Sequence, residues 1–309
     1  MNFEALVMRS TGSWYELRSE TGELWKGRLR GKFKMQGLKV TNPIAVGDWV
    51  DCSIEDESEN TVNINDIRAR ENYIIRKSVH KTAHGHLIAA NIDQAILIAT
   101  LTKPRTSLGF IDRFLVSSES FRIPTCIIFN KTDLLDEEEL AYQQDLCAMY
   151  ASIGYPALQT SVAQGVGLEE FRNLLSGKIS LLSGHSGVGK SSLVNQIAPH
   201  LALKTSEISD YANKGVHTTT FAEMFLLNDE SFIIDTPGIK ELGLIDMEVS
   251  EIGHYFPEMR DLLGECRYHN CLHVNEPQCA VKEAVEAGKI ALTRYESYLS
   301  MLDNDDNRR

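Results

Sequence analysis

The sequence has few cysteines and no long apolar run, and each shortage excludes a class of protein. Only six cysteines occur among 309 residues, too few for a disulfide scaffold. No uninterrupted apolar stretch approaches the roughly 18 residues that a membrane-spanning helix needs, so we expect no membrane partner. The first residues do not show a charged segment followed by an apolar one, so we expect no signal peptide. These features predict a reducing, cytoplasmic location.

Basic residues are also in short supply. Lys and Arg number 31 against 43 Asp and Glu, which gives a net charge of −12. Taken over the whole chain, this charge argues against a protein that coats nucleic acid. The deficit is uneven, because residues 1–80 carry as many basic as acidic side chains and the excess of acid lies in residues 81–309. A hydrophobic content of 43% and a charged content of 24% exclude a disordered or collagen-like chain.

Residues 1–78 predict short strands separated by turns. Tyr15 and Leu17 alternate with polar neighbours, and apolar residues share one parity through Val46–Ile54 and again from Val62 to Ile64. Several short strands in under eighty residues favour a small β-barrel, and an OB-fold is the first choice. The spacing leaves an SH3-like barrel open.

The rest of the chain predicts a linker and two further domains. Residues 79–90 are interpreted as the linker, residues 91–245 as an α/β domain, and residues 246–309 as a helical module. The helical module includes a helix-like segment, Ala280–Leu302, and a polar tail, Asp303–Arg309. Apolar runs typical of buried parallel strands occur at Ala95–Ala99, Cys126–Phe129, Ile179–Leu182 and Phe232–Ile234.

A phosphate-binding loop follows one of these apolar runs. The residues match G-x-x-x-x-G-K-[ST], between a strand and a helical run. Backbone N–H groups and the helix N-terminus would face the phosphates, Lys190 would reach the β- and γ-phosphates, and the Ser191 hydroxyl would bind Mg²⁺. The alternative is a glycine-rich turn that caps a helix. The predicted nucleotide-binding residues here are Gly184, His185, Ser186, Gly187, Val188, Gly189, Lys190, Ser191 and Ser192.

Two further segments suit the γ-phosphate side of such a site. Asp235-Thr236-Pro237-Gly238 follows an apolar strand, where a Mg²⁺-associated carboxylate and a γ-phosphate-sensing glycine are needed. Residues 215–220, Gly-Val-His-Thr-Thr-Thr, supply hydroxyls, and we expect Thr219 to complete the Mg²⁺ shell as a switch. The alternatives are an ordinary turn for residues 235–238 and a threonine-rich β-edge for residues 215–220.

Asn130-Lys131-Thr132-Asp133 predicts the choice of base. A carboxylate at Asp133 can accept hydrogen bonds from N1–H and the 2-amino group of guanine together, a donor pair that adenine lacks. Asn130 would tie the loop to the base, and the Lys131 stem would pack on the ring. Ser161 and Val162 suit a second loop whose backbone N–H meets guanine O6. The alternative, a helix N-cap, is far less compatible with the phosphate motifs. We therefore predict GTP and GDP as ligands.

The order of these motifs is unusual, because the base-recognition loops precede the phosphate loop. In an ordinary GTPase the phosphate loop comes first. The same site forms from a circularly permuted chain, since domain termini usually lie close together at the surface.

Three cysteines and a histidine lie within fourteen residues near the C-terminus. Cys266, Cys271, His273 and Cys279 suit a structural, tetrahedral Zn²⁺ with no open position. His269 is a rival for the fourth ligand, and free buried cysteines or a redox pair are the alternatives to a metal site.

Positive charge concentrates on one predicted strand of the N-terminal domain. Basic residues alternate with large apolar ones, and residues 26–39 contain no acidic side chain. Alternation on a strand places every charge on one face. Gly27 and Gly31 are expected to bulge or end this strand. A surface of one sign favours binding to an RNA backbone over a merely solvated face. The predicted RNA-binding residues are Lys26, Arg28, Arg30, Lys32 and Lys34.

These motifs, in this order, resemble the ribosome small-subunit-dependent GTPase A family (RsgA, also called YjeQ). The likeness covers nearly the whole chain, including residues 90–94 and 111–115. It implies a GTPase that the small (30S) ribosomal subunit stimulates and that acts late in the maturation of that subunit, with Zn²⁺ on Cys266, Cys271, His273 and Cys279. Two positions depart from the commonest family forms: His185, where Gln is frequent, and Val216, where a basic residue is frequent.

The motifs identify the residues that take part in hydrolysis less completely. The position after Asp-x-x-Gly, where Ras-like enzymes have a water-orienting Gln, is Ile239. We therefore predict slow intrinsic turnover, with Lys190, Asp235 and Gly238 in catalytic roles and His217 as the candidate that positions water. Two functions remain open: an assembly GTPase, and a GTP-gated RNA-binding switch in which hydrolysis is incidental. In either case we expect a monomer whose partner is the small subunit and its rRNA.

Overall fold

The structure is a computed structural model that describes residues 2–11, 13–30, 42–77, 85–203, 222–228, 230–235 and 247–303. The chain divides into two compact units, each assembled from separate stretches of sequence. The first unit comprises Met1–Ile96, Leu168–Ser183 and Gly189–Lys240, and the second comprises Leu97–Gly167, Gly184–Val188 and Glu241–Arg309. The domain boundaries drawn from the sequence remain predictions.

Five short strands close into a barrel in the first unit. They are β1 (Asn2–Ser10), β2 (Tyr15–Ser19), β3 (Leu24–Leu29), β4 (Trp49–Asp56) and β5 (Thr61–Ile67). Strand β1 pairs with β2 and β4, β2 pairs with β3, and β4 pairs with β5, all antiparallel. The parallel pairing of β3 with β5 completes the circuit. This five-stranded order is that of an OB-fold, so the barrel prediction is confirmed.

Period-2 alternation determines the interior of the barrel. Tyr15, Leu17, Val50 and Val62 point inward and are almost fully buried. Gly27 neither bulges nor ends its strand, contrary to the expectation from the sequence. It pairs with Tyr15 and Val62, and a Cβ at this position would lie 2.5 Å from Leu17 Cδ1, so the crowded interior requires a residue without a side chain. Gly31 lies outside the described residues.

The predicted linker is partly a strand. Strands β6 (Tyr73–Lys77) and β7 (Gly85–Ala90) form a two-stranded antiparallel sheet. Within the predicted linker, residues 85–90 thus form a strand whose Leu87 and Ala90 are buried with Ala45, and the linker bounds themselves stay a prediction. Residues 78–84 lie outside the described residues.

The first unit also contains the strand that leads into the phosphate loop. Its strands are β8 (Gln94–Ala99), which begins in this unit, β11 (Ile179–Ser183), β12 (Glu223–Asn228) and β13 (Ser231–Asp235). Strands β11 and β13 are parallel and β12 is antiparallel to β13. Its helices are α3 (Leu168–Leu175) and α4 (Lys190–Ile197).

In the second unit the sheet order is β10-β9-β8, from β10 (Ala157–Thr160) and β9 (Thr125–Asn130) to the end of β8. Every residue of β8 and β9 is buried, as expected for strands covered on both faces. Helix α1 (Leu108–Ser120) starts at the N-cap Ser107, and helix α2 (Glu137–Ser152) starts with a capping box between Asp136 and Glu139. The strands predicted from the four apolar runs are confirmed.

The C-terminal segment of the second unit has its own small core. A 3-10 segment, Val249–Tyr255, precedes helices α5 (Pro257–Arg260), α6 (Ala280–Glu286) and α7 (Leu292–Leu302). The single predicted helix Ala280–Leu302 is wrong, because the chain turns between α6 and α7 with Gly288 at φ +70°. Beyond Asp303 the predicted tail lies outside the described residues. Among the helices in the described ranges, none is long and apolar enough to span a membrane.

Candidate nucleotide and metal sites

The phosphate loop joins strand β11 to helix α4 through glycines with left-handed backbone. Gly184, Gly187 and Gly189 have φ of +140°, +83° and +98°. A Cβ at Gly184 would lie 2.2 Å from the carbonyl oxygen of Ile98. A residue with a Cβ is not compatible with this position. The glycine backbone therefore forms a tight loop, a cradle of the kind that phosphate groups occupy.

Helix α4 begins directly after this cradle. Gly189 is its N-cap, and Lys190 and Ser191 form its first turn, with exposures of 9% and 5%. A helix N-terminus with its first N–H groups directed out of the helix attracts anions. The local backbone therefore fits a phosphate site, and the Ser191 hydroxyl is placed where the motif predicts a magnesium ligand.

Asp235 ends the strand beside β11. In the parallel register of β11 and β13, Asp235 is the partner of Leu182, two residues before the phosphate loop. The carboxyl ends of parallel strands meet at one edge of a sheet, where ligands bind in such folds. The backbone position of Asp235 thus agrees with the predicted role. Gly238, His217, Thr219, Val216 and Ile239 lie outside the described residues.

Asn130 connects the base-recognition loop to the phosphate loop within the second unit. Its side chain is buried at the end of β9, where Nδ2 donates to the carbonyl oxygen of Val188 at 2.8 Å. Its Oδ1 accepts a hydrogen bond from Thr160 Oγ1 at 3.0 Å. Both polar ends of the amide are used within the protein, so Asn130 fixes three loops relative to one another.

Lys131 also contacts the phosphate loop. Its backbone is left-handed at φ +63°, and its Nζ donates to the carbonyl oxygens of Gly187 at 2.6 Å and Lys103 at 2.8 Å. These charge-assisted bonds extend the side chain across the opening of the site. The packing of the stem on the base stays a prediction.

Asp133 has a fixed orientation. Ser161 Oγ donates to Asp133 Oδ1 at 2.5 Å, and the Ser161 backbone exchanges two hydrogen bonds of 3.0 Å with Val166. One carboxylate edge is held by the protein while the side chain remains half-exposed. Ser161 and Val162 lie in this second loop, as predicted, and the loop closes through Gly167, where a Cβ would lie 2.1 Å from the carbonyl oxygen of Gln159.

Sequence reasoning missed the segment between β8 and α1. Besides the Lys103 carbonyl, Pro104 lies 3.5 Å from a Cβ built on Gly187. The Phe110 ring lies 4.0 Å, centroid to centroid, from the imidazole of His185, and the two planes are tilted by 32°. Neither contact has a motif in the sequence. The one available signal is Ser107, an N-cap that begins a helix soon after a buried strand.

Cys266, Cys271, His273 and Cys279 converge in the C-terminal module. Their ligand atoms all lie within 4.8 Å of one another. The distances from His273 Nδ1 to Cys279 Sγ and Cys266 Sγ are 3.3 and 3.6 Å, and the two sulfurs are 3.9 Å apart. A tetrahedron with Zn–S bonds of about 2.3 Å has edges of about 3.8 Å, so this donor set fits Zn²⁺. His269 is exposed and is not part of the cluster, which resolves the choice of histidine.

Surrounding hydrogen bonds hold the cysteine–histidine loop in place. Tyr295 Oη donates to the carbonyl oxygen of His273 at 2.6 Å, and Tyr298 Oη donates to that of Leu272 at 2.7 Å. The Glu276 carboxylate accepts from the N–H groups of Leu272, Val274 and Asn275, and these bonds, that of Leu272 foremost, lower the pKa of Glu276 below its ordinary value. Such outer contacts orient metal ligands.

The basic strand of the barrel is only partly described. Lys26, Arg28 and Arg30 are exposed and alternate with the inward-facing Trp25 and Leu29, as predicted. Arg28 forms an ion pair with Glu55 and lies 5.6 Å from the Trp14 ring. Lys32 and Lys34 lie outside the described residues.

The chain combines a glycine-rich phosphate loop with an Asn-Lys-x-Asp loop that has a serine partner. The base-recognition loops come first in the sequence. Together these features define a circularly permuted guanine-nucleotide-binding domain. A model of the RsgA GTPase matches residues 67–245, and a model of the RsgA N-terminal domain matches residues 4–62. The chain belongs to the RsgA GTPase family, which confirms the family resemblance drawn from the motifs, and it is a GTPase.

Relatives and solved structures agree with this assignment. The Small ribosomal subunit biogenesis GTPase RsgA of Cytophaga hutchinsonii is 56% identical and covers 99% of this chain and 100% of its own. The protein of the same name from Bacteroides fragilis strain YCH46 is 48% identical over 98% of this chain and 97% of its own. The crystal structure of YjeQ from Thermotoga maritima has a TM-score of 0.80 at 37% identity, with complete coverage of both chains. YloQ, described as a circularly permuted GTPase, has a TM-score of 0.76 at 28% identity over 100% of this chain and 96% of its own.

Proposed function

We propose that this GTPase binds guanine nucleotide through Asn130, Lys131, Asp133 and the loop Gly184–Ser192, and that it hydrolyses GTP to GDP and phosphate on the small ribosomal subunit during assembly of that subunit. The observation that carries the proposal is the Asn130 side chain, which joins the base-recognition strand to the phosphate loop through Val188 and to the second base loop through Thr160. The names of the relatives support the choice of partner.

Base selection follows from Asp133. The bond from Ser161 leaves the remainder of the carboxylate available to N1–H and the 2-amino group of guanine. Two parallel charge-assisted hydrogen bonds give both affinity and geometric specificity. The backbone N–H of Val162 is the proposed donor to guanine O6, and Lys131 would cover the base.

Phosphate binding follows from the cradle and helix α4. Backbone N–H groups of residues 184–189 and the Lys190 ammonium would surround the β- and γ-phosphates, where they stabilise charge that develops as the terminal P–O bond breaks. Ser191, Thr219 and the carboxylate of Asp235 would hold or orient Mg²⁺, which neutralises phosphate charge when bound. Gly238 is the proposed γ-phosphate sensor.

Orientation of the attacking water is the proposed control point. Ile239 offers no hydrogen bond at the position where related enzymes have glutamine. We propose His217 as the residue that positions water when the small subunit is bound. In an assay with saturating small subunits, His217→Ala is expected to lose stimulated turnover while it keeps nucleotide affinity. Unchanged stimulated turnover would exclude this role.

Asp133→Asn tests the base assignment most sharply. An amide at this position donates to the 2-carbonyl of xanthine and cannot accept the two guanine donors. We expect affinity to move from GTP to XTP, measured as the ratio of the two dissociation constants. Asp136→Asn, at the exposed N-cap of α2 three residues further along the chain, serves as the control. Retained preference for GTP in Asp133→Asn would contradict the assignment.

The rRNA contact is proposed for the exposed face of Lys26, Arg28 and Arg30, extended by Lys32 and Lys34 in the sequence. The triple variant Lys26→Glu/Arg28→Glu/Arg30→Glu is expected to bind small subunits more weakly. Its binding constant should also depend less on salt concentration, because each phosphate contact adds to the salt slope. Arg172→Glu, an equally exposed charge on α3, is the control. Equal binding by both variants would contradict an rRNA contact at this face.

One comparison distinguishes the second hypothesis, a GTP-gated RNA-binding switch, from an assembly GTPase. An assembly GTPase is expected to turn over faster with small subunits than with free RNA, whereas a switch gains nothing specific from intact subunits.

The six cysteines are free thiols, which suits the proposed cytoplasmic location. A monomer is proposed, and light scattering tests it.

A further inference from the structure

Helix α1 joins the phosphate loop to the C-terminal module inside the second unit. In its first turn, Phe110 packs against His185 of the phosphate loop at 4.0 Å between ring centroids. Two residues further on, Asp112 is fully buried, and Val116 belongs to the core of the C-terminal module. One helix of 13 residues therefore contacts both the nucleotide loop and the zinc-binding segment.

Arg294 of helix α7 fixes this helix. Its Nη1 donates to Asp112 Oδ1 at 2.7 Å, and its Nε donates to Glu258 Oε1 at 2.7 Å. Tyr150 Oη donates to the same oxygen of Asp112 at 2.9 Å, and the guanidinium lies 4.5 Å from the Phe256 ring. The exposures of Arg294 and Asp112 are both 1%. Burial alone would lower the pKa of Arg294, but the two carboxylates outweigh it and raise that pKa.

A buried ion pair of this kind is a poor source of net stability, because desolvation of the charges offsets their attraction. Its geometry is nevertheless restrictive. The planar guanidinium directs its donors in fixed directions, so Asp112 and Glu258 can satisfy it in only one arrangement of α1, α5 and α7. Positioning, more than stability, is what this cluster supplies.

We propose that Arg294 is a positioning residue for the phosphate loop. It holds Asp112, and through α1 it keeps Phe110 against His185, so that nucleotide affinity depends on a side chain in the C-terminal module. This inference rests on the proposed binding of GTP and GDP at the loop. It assigns a use to His185, which stands where glutamine is frequent in the family, and to Phe110, which no motif includes.

The test measures the dissociation constant of a fluorescent GDP analogue for the full-length, zinc-loaded protein. Variants are Phe110→Ala, Arg294→Met, Arg294→Lys and the double variant Phe110→Ala/Arg294→Met. Arg260→Ala is the matched control, because Arg260 joins α5 to the same helix α1 through an exposed ion pair with Glu119 at 3.0 Å. Zinc content and unfolding temperature are recorded for each variant. The affinity of each variant is measured at a temperature at which that variant is folded.

We expect Phe110→Ala and Arg294→Met each to weaken GDP binding about three- to tenfold, with full zinc content. Arg294→Lys should recover part of the loss, since it keeps the charge but not the two-pronged geometry. The double variant should be no weaker than the worse single variant, because both residues act through one contact. Arg260→Ala should bind as the wild type does.

Unchanged affinity in Arg294→Met, despite a lower unfolding temperature, would show a merely structural role and overturn the inference. Additive losses in the double variant would overturn the path through α1. If Arg294→Met does not fold, Phe110→Ala and Arg294→Lys decide, and wild-type affinity in both overturns the inference. A wild-type protein that binds no guanine nucleotide would refute the proposed function itself.

Discussion

The phosphate loop and the cysteine–histidine loop solve the problem of holding a ligand in opposite ways. Residues 184–191 are shaped by backbone constraints, with three glycines at positive φ and a carbonyl oxygen 2.2 Å from where a Cβ would be. Residues 266–279 include no strand or helix and end at Cys279, the N-cap of α6, and their left-handed positions, His273 and Gln278, are not glycines. The first loop is complete without its ligand.

The second loop is not complete without its ligand. The ligand atoms of three cysteines and one histidine lie within 4.8 Å of one another, and weak thiol hydrogen bonds stabilise such a cluster far less than a bound cation does. In zinc-binding segments of this kind the free energy of metal binding is the free energy of folding. The comparison thus teaches that backbone constraints shape the phosphate loop, whereas the donor set of the cysteine–histidine loop fits a metal ion that would be part of its structure.

The largest expected effect is therefore zinc removal. Cys271→Ser, or chelation of the wild type, should abolish hydrogen-exchange protection across residues 266–279, because structural zinc contributes on the order of 10 kcal/mol. Cys147→Ser, which changes a half-buried thiol on α2, should leave protection unchanged. Protection that survives chelation would break the comparison, since the loop would then be preformed as well.

Gly184→Ala tests the claim that backbone constraints shape the phosphate loop. The added methyl group meets the Ile98 carbonyl oxygen at φ +140°, so we expect a loss of about 3 kcal/mol in unfolding free energy and loss of nucleotide binding. Gly177→Ala is the control at the opposite end of β11. It also has positive φ, +67°, but its Cβ would have no neighbour within 4 Å, so a cost of only about 1 kcal/mol is expected. Equal effects in urea unfolding would contradict the steric argument.

Tyr298→Phe sharpens the account of the zinc-binding segment. It removes the hydroxyl that donates to the Leu272 carbonyl oxygen at 2.7 Å, next to the ligand His273. We expect about 1 kcal/mol less stability and faster zinc release to a chromogenic chelator. Tyr142→Phe, with an exposure of 47%, should change neither measurement. Zinc release at the wild-type rate would show that this contact does not hold the loop.

The smallest expected effect on stability is that of Ser161→Ala, which acts chiefly on affinity. It removes the hydroxyl that orients Asp133 at 2.5 Å, and a hydrogen bond to a carboxylate is worth about 1.5 kcal/mol. Weaker GDP binding by about tenfold is expected, with only a small drop in unfolding temperature. The hydroxyl also accepts a hydrogen bond from the Gln164 N–H at 3.1 Å, but the loop backbone keeps its bonds to Val166. Ser152→Ala, an exposed serine at the end of α2, is the control. A drop in stability without a change in affinity would reverse the interpretation.

Much of this molecule was predictable from local patterns. The buried strands β8 and β9 are continuous apolar runs, and the phosphate and base motifs directly follow strands, so both element and position were evident. The predictions failed where the deciding neighbour is distant in sequence. Gly27 stays in its strand because Leu17 and Ile64 occupy the space above it. Strand β7 forms because β6 is available to pair, and the histidine ligand is chosen by the fold of residues 266–279.

The sequence by itself determined the guanine-nucleotide motifs, their permuted order and the cysteine–histidine donor set, because these depend on residue types at short, fixed spacings. Only the tertiary structure decided how the parts are held. The Asn130 bridge to Val188 spans 58 residues, and the Arg294 bond to Asp112 spans 182. Contacts at such separations leave no periodicity or spacing in the chain, since they arise from packing of the folded backbone and not from the local preferences of the residues that make them.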